Sequence, residues 1–302
     1  MTVAITGGTG FVGQALIDLA AQRDVKLRSL ARKIPGETRG VEWVRGDLAA
    51  PPALEQLVDR VDAVVHIAGQ VRATDPADFE AANVTGTLNI IEAALAARVS
   101  RFIFVSSLAA REPELSTYGA SKARAEKLVR ASGLDWTIIR PPAVYGPRDG
   151  EMLDLFKMAN RGVVPMPESG HASMIHVGDL ARLLLAVLPS SEETTGKTFE
   201  PDDGKNGGWE HRELARAIGW SLGKRPFVPR LSRTMLDLAA KVDMKLRGAN
   251  AKLTFDRVGY MCHPDWVSGI DAKPPESLWK PKIPTREGLK ATARWYKEEG
   301  WL

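Results

Sequence analysis

Residues 116–130 read STYGASKARAEKLVR, which places Tyr118 and Lys122 four residues apart. In a helix that spacing stacks a phenol and an ammonium one turn apart on a single face. Two readings are open: an ordinary surface contact, or a proton-transfer pair. A phenol with its usual pKa of about 10 is a poor base near neutrality. A positive neighbour favours the phenolate, and lowering the pKa by about 3 units takes about 4 kcal/mol. A phenol tuned in this way can take or give a proton at pH 7. The stretch itself offers good helix formers, Ser116 and Thr117 as N-cap candidates, and basic residues toward its end.

A second group of residues has the chemistry to hold phosphates. VAITGGTGFVGQAL sets Gly7, Gly10 and Gly13 between an apolar β-rich run and a helical one. The glycines permit a tight turn. The backbone of Gly7, Thr9, Gly10, Phe11, Val12 and Gly13, at a helix N-terminus, then suits a pyrophosphate. The spacing is G-x-x-G-x-x-G, and the competing reading is a turn used only for close packing. Roughly twenty residues further on, a dinucleotide fold that reads the adenosine ribose as a diol carries an acid. Here Ala31 is followed by Arg32 and Lys33. An acid would repel a 2′-phosphate, whereas a guanidinium can bind one with two hydrogen bonds. The expectation is NADP(H) in preference to NAD(H). A solvated Arg32 and dual cofactor use are the alternative. Asp47 and Leu48, in GDL, are candidates for the adenine pocket.

Such groups need a scaffold. VAIT (3–6), VKLRSLA (25–31), VEWVR (41–45), AVVHIA (63–68), FIFVSS (102–107) and WTIIR (136–140) read as strands. Helical stretches lie between most of them, over 11–23, 54–61 and 79–99 and in the Tyr118 segment. Several strands are apolar in succession, as when helices cover both faces of a sheet. Strand–helix alternation predicts a parallel α/β sheet with right-handed crossovers. After RPPAVYGPRDG (140–150) the alternation fades, leaving one strand-like run at 174–177 and helices at 179–188, 209–219, 233–247 and the C-terminus. Six of the eight tryptophans lie beyond residue 200. The expected division is a dinucleotide-binding domain of 1–145, with 172–200 returning to it, and a substrate lobe of 146–171 and 201–302.

Bulk properties set limits. The 302 residues are 44% apolar and 26% charged, an ordinary globular composition with a net charge of +4. The lone cysteine, Cys262, excludes an internal disulfide and a cysteine-rich metal site, and no metal is expected. No apolar run approaches the ~18 residues of a membrane span. No basic run resembles a nucleic-acid stripe. The expectation is a soluble, cytoplasmic protein acting on a small molecule.

TGGTGFVG, GDL, HIAG, NVTGT, VSS, YGASK and RPPAVYGP occur in this order. Together they resemble the short-chain dehydrogenase/reductase superfamily, in its extended, epimerase/dehydratase-like branch, over about residues 1–190. The resemblance implies a Rossmann-type doubly wound sheet with a smaller C-terminal substrate lobe. It also implies a catalytic set of Ser107, Tyr118 and Lys122, supported by Asn83. Hydride would pass between a nicotinamide and a carbinol or carbonyl carbon. Tyr118 would move the proton, Lys122 would tune it and hold the nicotinamide ribose, and Ser107 would position the substrate oxygen. Ala68, Gly69, Pro141 and Val144 would lie along the cofactor, and helices at 79–98 and 118–132 would pair two subunits in a homodimer. HPDWVSG and GLKATARWYKEEGWL resemble members related to 3β-hydroxysteroid dehydrogenases and dihydroflavonol-type reductases. Two departures weigh against a nucleotide-sugar substrate. Only ten residues separate Ser107 from Tyr118, and Ala172 and Ser173 stand where sugar-nucleotide members often show an arginine and an acid. The leading expectation is an NADP(H)-dependent oxidoreductase of a fairly apolar carbonyl compound. A nucleotide-sugar epimerase or dehydratase, and a non-catalytic cofactor-binding protein, are the alternatives.

Overall fold

In the computed structural model, six strands form where the β-branched and aromatic runs predict them. They are β1 (Thr2–Thr6), β2 (Lys26–Ala31), β3 (Val41–Arg45), β4 (Ala63–His66), β5 (Arg101–Val105) and β6 (Asp135–Ile139). The structure describes residues 1–73, 75–248 and 251–302. A seventh strand, Lys197–Phe199, pairs parallel with β6. From this edge the sheet continues through β6, β5, β4, β1 and β2 to β3. Every pairing in it is parallel. Val3 of β1 lies opposite Leu27 on one side and Ala63 on the other. The chain winds outward from β1 in one direction, then returns to place β4 on its other side. Doubly wound sheets bind ligands at the carboxyl ends of the strands where the winding reverses.

Val3, Ala4 and Ile5 of β1, Val64 of β4 and Phe102, Ile103 and Phe104 of β5 are wholly buried. Successive residues of a strand face opposite sides, so both faces are covered. Each of the valine, isoleucine and phenylalanine side chains contributes about 1.5–3 kcal/mol of burial. The covering helices include α1 (Phe11–Gln22), α2 (Pro51–Val58), α3 (Pro76–Phe79), α4 (Gly86–Ala96) and α5 (Thr117–Ala131). The helix expected over 79–99 is an unbroken helical run from Pro76 to Ala96, with a π-helical stretch at Glu80–Thr85 between α3 and α4. A π-turn rotates the side chains that follow it, and such turns are frequent at functional sites.

The described chain divides into two compact units. The first comprises Met1–Pro141, Leu180–Glu200 and Ala272–Lys280; the second comprises Pro142–Asp179, Pro201–Asp271 and Pro281–Leu302. These bounds differ from the expected ones at 142–145, 172–179 and 272–280, for two reasons. Ala143–Tyr145 pairs with Met174–His176, which keeps both strands together in the second unit. The Glu200 N–H donates to the Ala272 carbonyl, which draws 272–280 into the first.

The second unit is built of short elements. His171–Ala172 pairs with Trp209–Glu210 and with Asp265–Trp266. The largest helices are His211–Ser221, Arg233–Arg247 and Thr285–Glu298. Tyr145, Phe156 and Tyr296 are fully buried there, and the Phe156 and Tyr296 rings meet edge to face at 5.1 Å. Among the described residues no helix is long and apolar enough to cross a membrane.

Candidate active site

Ser116 caps α5: its extended backbone turns the chain, and its side chain accepts the Gly119 N–H at 2.9 Å. Of the two N-cap candidates it is the one used. α5 then buries Gly119, Ser121, Lys122, Ala125, Glu126 and Val129. A segment that reads as a surface helix therefore turns a face of small residues, one lysine and one glutamate inward.

Lys122 is 3% exposed. Its Nζ donates to the Val105 carbonyl at 3.0 Å and lies 5.0 Å from the centre of the Phe104 ring. Burial lowers its pKa from the ordinary lysine value to about 8, with the Glu126 charge pulling upward. At neutral pH the ammonium is still charged, but its desolvation makes it a strong electrostatic partner. Gly69 forms the facing wall: a Cβ there would lie 3.0 Å from Lys122 Nζ and 2.9 Å from Asn83 Oδ1.

Asn83, in the π-helical stretch, is 1% exposed. Its Oδ1 accepts the Gln70 N–H at 2.7 Å, and its Nδ2 donates to the Gln70 carbonyl at 3.0 Å and to Ser121 Oγ at 2.9 Å. Ser121 Oγ in turn donates to the Tyr118 carbonyl at 2.7 Å. One amide thus ties the first turn of α5 to the loop after β4. The Tyr118 side chain is half-buried, its ring 6.0 Å from that of Phe79.

Ser107 ends the run after β5, two residues beyond the carbonyl that Lys122 holds. Its Oγ accepts the Ala109 N–H at 3.2 Å and caps a short 3₁₀ turn, Leu108–Arg111. The Leu108 N–H donates to the Pro141 carbonyl at 3.0 Å, so the Ser107 loop is held by the chain that leaves β6.

At the end of β1, Gly7 turns the chain at a φ of +76°. Gly13, inside α1, packs directly on this turn, and a Cβ on it would lie 2.1 Å from the Gly7 carbonyl oxygen. Gly10 is the N-cap of α1 and has no side chain to cap with, so no side-chain cap satisfies the first N–H groups of the helix. This narrow junction fits a pyrophosphate. Ala68 meets the turn from the β4 side: a Cβ on Gly7 would fall 2.8 Å from its nitrogen. Arg32 and Lys33 follow β2 as exposed residues. Asp47 is exposed and accepts the Ala49 N–H, while Leu48 packs against Gly86, where a Cβ would approach its side chain to 2.8 Å. Val144 belongs to the strand Ala143–Tyr145 of the second unit.

The structure shows two networks that the sequence patterns do not mark. His66 is fully buried; its Nδ1 lies 2.6 Å from Thr6 Oγ1 and its Nε2 3.0 Å from Thr87 Oγ1. Thr87 Oγ1 donates to the Asn83 carbonyl, and Thr6 Oγ1 accepts the Ala68 N–H. A neutral imidazole protonated on Nε2 satisfies every member. Burial first, and the Lys122 charge second, lower the His66 pKa to about 3.

The second network lies under α5. Glu126, 1% exposed, accepts from Ser106 Oγ at 2.6 Å, from Arg140 Nε and Nη2 at 2.8 and 2.7 Å, and from Arg130 at 3.0 Å. Burial opposes its charge, but Arg140, Ser106 and Arg130 together hold the carboxyl below its usual range. Arg140 reaches on to Glu200 at 3.3 Å.

The sequence profile of the NAD dependent epimerase/dehydratase family matches residues 3–200, which include β1 to β6, Thr2 excepted, and every residue of this cluster. The chain belongs to that family. Among curated relatives of the family, a ceramide reductase from Caulobacter vibrioides is 36% identical over 99% of this chain and 96% of its own. A 2-alkyl-3-oxoalkanoate reductase from Stenotrophomonas maltophilia is 28% identical over 96% of this chain and 98% of its own. Among solved structures, gox2253 superposes with a TM-score of 0.80 at 25% identity, covering 99% of this chain and 98% of that one. MoeE5 in complex with UDP-glucose and NAD gives 0.77 at 21% identity, with 99% of each chain covered, a likeness of fold alone. This family member is an extended short-chain dehydrogenase/reductase and an NAD(P)-dependent oxidoreductase.

Proposed function

We propose that this enzyme reduces a carbonyl carried on an alkyl chain, using NADPH, by a Ser–Tyr–Lys mechanism. The observation that carries the reading is the buried ammonium of Lys122, held by the Val105 carbonyl one helical turn after Tyr118 and facing the side-chain-free wall of Gly69. A binding module has no use for a charge desolvated at that cost. The names of two full-length relatives, a ceramide reductase and a 2-alkyl-3-oxoalkanoate reductase, support the substrate class.

Bound NADPH supplies the hydride. The glycine turn from Gly7 to Gly13 holds the pyrophosphate, Arg32 and Lys33 meet the 2′-phosphate, and Asp47 and Leu48 border the adenine. Ala68 and Gly69 let the dinucleotide approach the backbone closely. Tyr118 gives its phenolic proton to the carbonyl oxygen, and Lys122 stabilises the phenolate that remains. Ser107 hydrogen-bonds the same oxygen and fixes its position. Asn83 acts at one remove, by holding the first turn of α5 through Ser121.

The test is a spectrophotometric screen of 3-oxoalkanoates, 3-oxoamides and simple ketones with NADPH, run beside NADH. NADPH loss matched mole for mole by alcohol supports the reading. Conversion of a nucleotide sugar with no net change in cofactor absorbance would replace it with an epimerase.

A further inference from the structure

The helix Arg233–Arg247 turns its large apolar residues outward. Leu236 and Ala240 pack with Val258 in a small apolar cluster of their own, while Met235, Leu238, Val242 and Leu246 are 53%, 64%, 50% and 78% exposed. At 3.6 residues per turn these four fall within about 80° of arc, a continuous stripe along nearly the whole helix. Scattered exposed apolar residues are ordinary, but a contiguous row of them marks an interaction surface.

Charge says what covers it. Lys241 and Lys245 run along one edge of the stripe and form no ion pair among the described residues. The acid nearest the opposite edge, Asp243, is engaged internally: it accepts the N–H groups of Lys252 and Leu253 and pairs with Arg247 at 3.2 Å. Residues 224–257 hold nine Lys and Arg against three Asp, a net charge of +6 in a chain whose total is +4. Arg230, Lys252 and Arg257 pair with Glu210, Asp154 and Glu151 from outside that segment, which leaves a smaller positive excess around this helix, with Lys241 and Lys245 part of it. An apolar face bordered by lysines, on a helix of modest overall hydrophobicity, is the pattern of a segment that lies in the plane of a bilayer surface.

We infer that the helix Arg233–Arg247 docks the enzyme on an anionic lipid surface. Leu238, Val242 and Leu246 would enter the acyl boundary while Lys241 and Lys245 meet the headgroup phosphates. The contact is peripheral and reversible, and it weakens with salt as the lysine contribution is screened. It involves none of the residues assigned to catalysis or cofactor binding, so it stands or falls independently of the carbonyl substrate.

The test is co-sedimentation of the full chain with phosphatidylcholine vesicles, with and without about one-third phosphatidylglycerol. The expected result is binding to the anionic vesicles at least about ten-fold stronger than to the neutral ones, reduced by high salt. Lys241→Ala/Lys245→Ala should remove most of the preference for anionic lipid, and Leu238→Glu/Leu246→Glu should remove binding altogether, both with an unchanged melting temperature. Wild-type protein that stays in the supernatant overturns the inference. So do variants that sediment like wild type. A dimer in solution that Leu238→Glu/Leu246→Glu splits, without vesicle binding, would show that a second copy of the chain covers the stripe instead.

Discussion

Gly69 and Lys122 are fitted to each other: a Cβ at position 69 would stand 3.0 Å from the lysine Nζ. The missing side chain leaves the ammonium beside bare backbone instead of a methyl group. Gly69→Ala should push Lys122 or Asn83 aside, and Asn83 is fixed by its bonds to Gln70 and Ser121. The expected outcome is NADPH binding weakened by about ten-fold or more, with a melting temperature close to wild type, because the change is local. Fluorescence titration of the cofactor measures this. Unchanged affinity would mean that the wall at Gly69 does not border the cofactor.

Glu126 is expected to act as a positioning residue. Glu126→Gln removes a buried charge from among Arg140, Arg130 and Ser106, and breaking a buried ion pair costs about 3–5 kcal/mol. It also removes the charge that raises the Lys122 pKa. The alkaline limb of the kcat/KM profile should therefore move to lower pH, a change that simple loss of stability does not produce. A destabilised variant with an unmoved pH profile would reduce Glu126 to a structural role.

His66 sets an acid limit on stability. Its folded pKa of about 3 lies below its ordinary value, so between pH 6.5 and 3 the unfolded chain binds a proton that the folded one refuses. Stability from this group is complete above pH 6.5 and is lost as the pH falls through that window, by a few kcal/mol in all. His66→Gln should lower stability at pH 7 yet flatten its decline toward pH 4, as chemical denaturation at several pH values would show. A parallel decline in both proteins would assign the acid limb to other groups.

Cofactor choice is expected to depend on Arg32. Arg32→Ala should weaken NADPH by about ten- to a hundred-fold, the worth of one or two charge-assisted hydrogen bonds, and leave NADH almost untouched. Equal affinity of the unmodified enzyme for both cofactors would remove the basis for a 2′-phosphate site.

What could be read from the sequence was what short windows encode. β1 to β6 announce themselves as apolar runs because both faces of the sheet are covered. The glycine turn is legible because a strand, three glycines and a helix follow one another directly. Lys197–Phe199 escapes notice because three residues carry no period, and its place is fixed only by pairing with β6, about sixty residues away in sequence. Glu126 and the partners of His66 escape for a related reason. A glutamate in a helix and a histidine in a strand look ordinary until Arg140, Ser106, Thr6 and Thr87 arrive from distant segments. The division into two units was blurred at 172–179 and 272–280, where the deciding contacts are likewise non-local.

The central claim, that Tyr118 carries the proton, is tested most directly by Tyr118→Phe, which removes one hydroxyl. Single-turnover NADPH oxidation with a carbonyl substrate from the screen should fall by about 10²–10⁴-fold, while NADPH affinity and melting temperature stay near wild type. Near-full activity of Tyr118→Phe on that substrate would contradict the account and return Tyr118 and Lys122 to an ordinary contact on a helix.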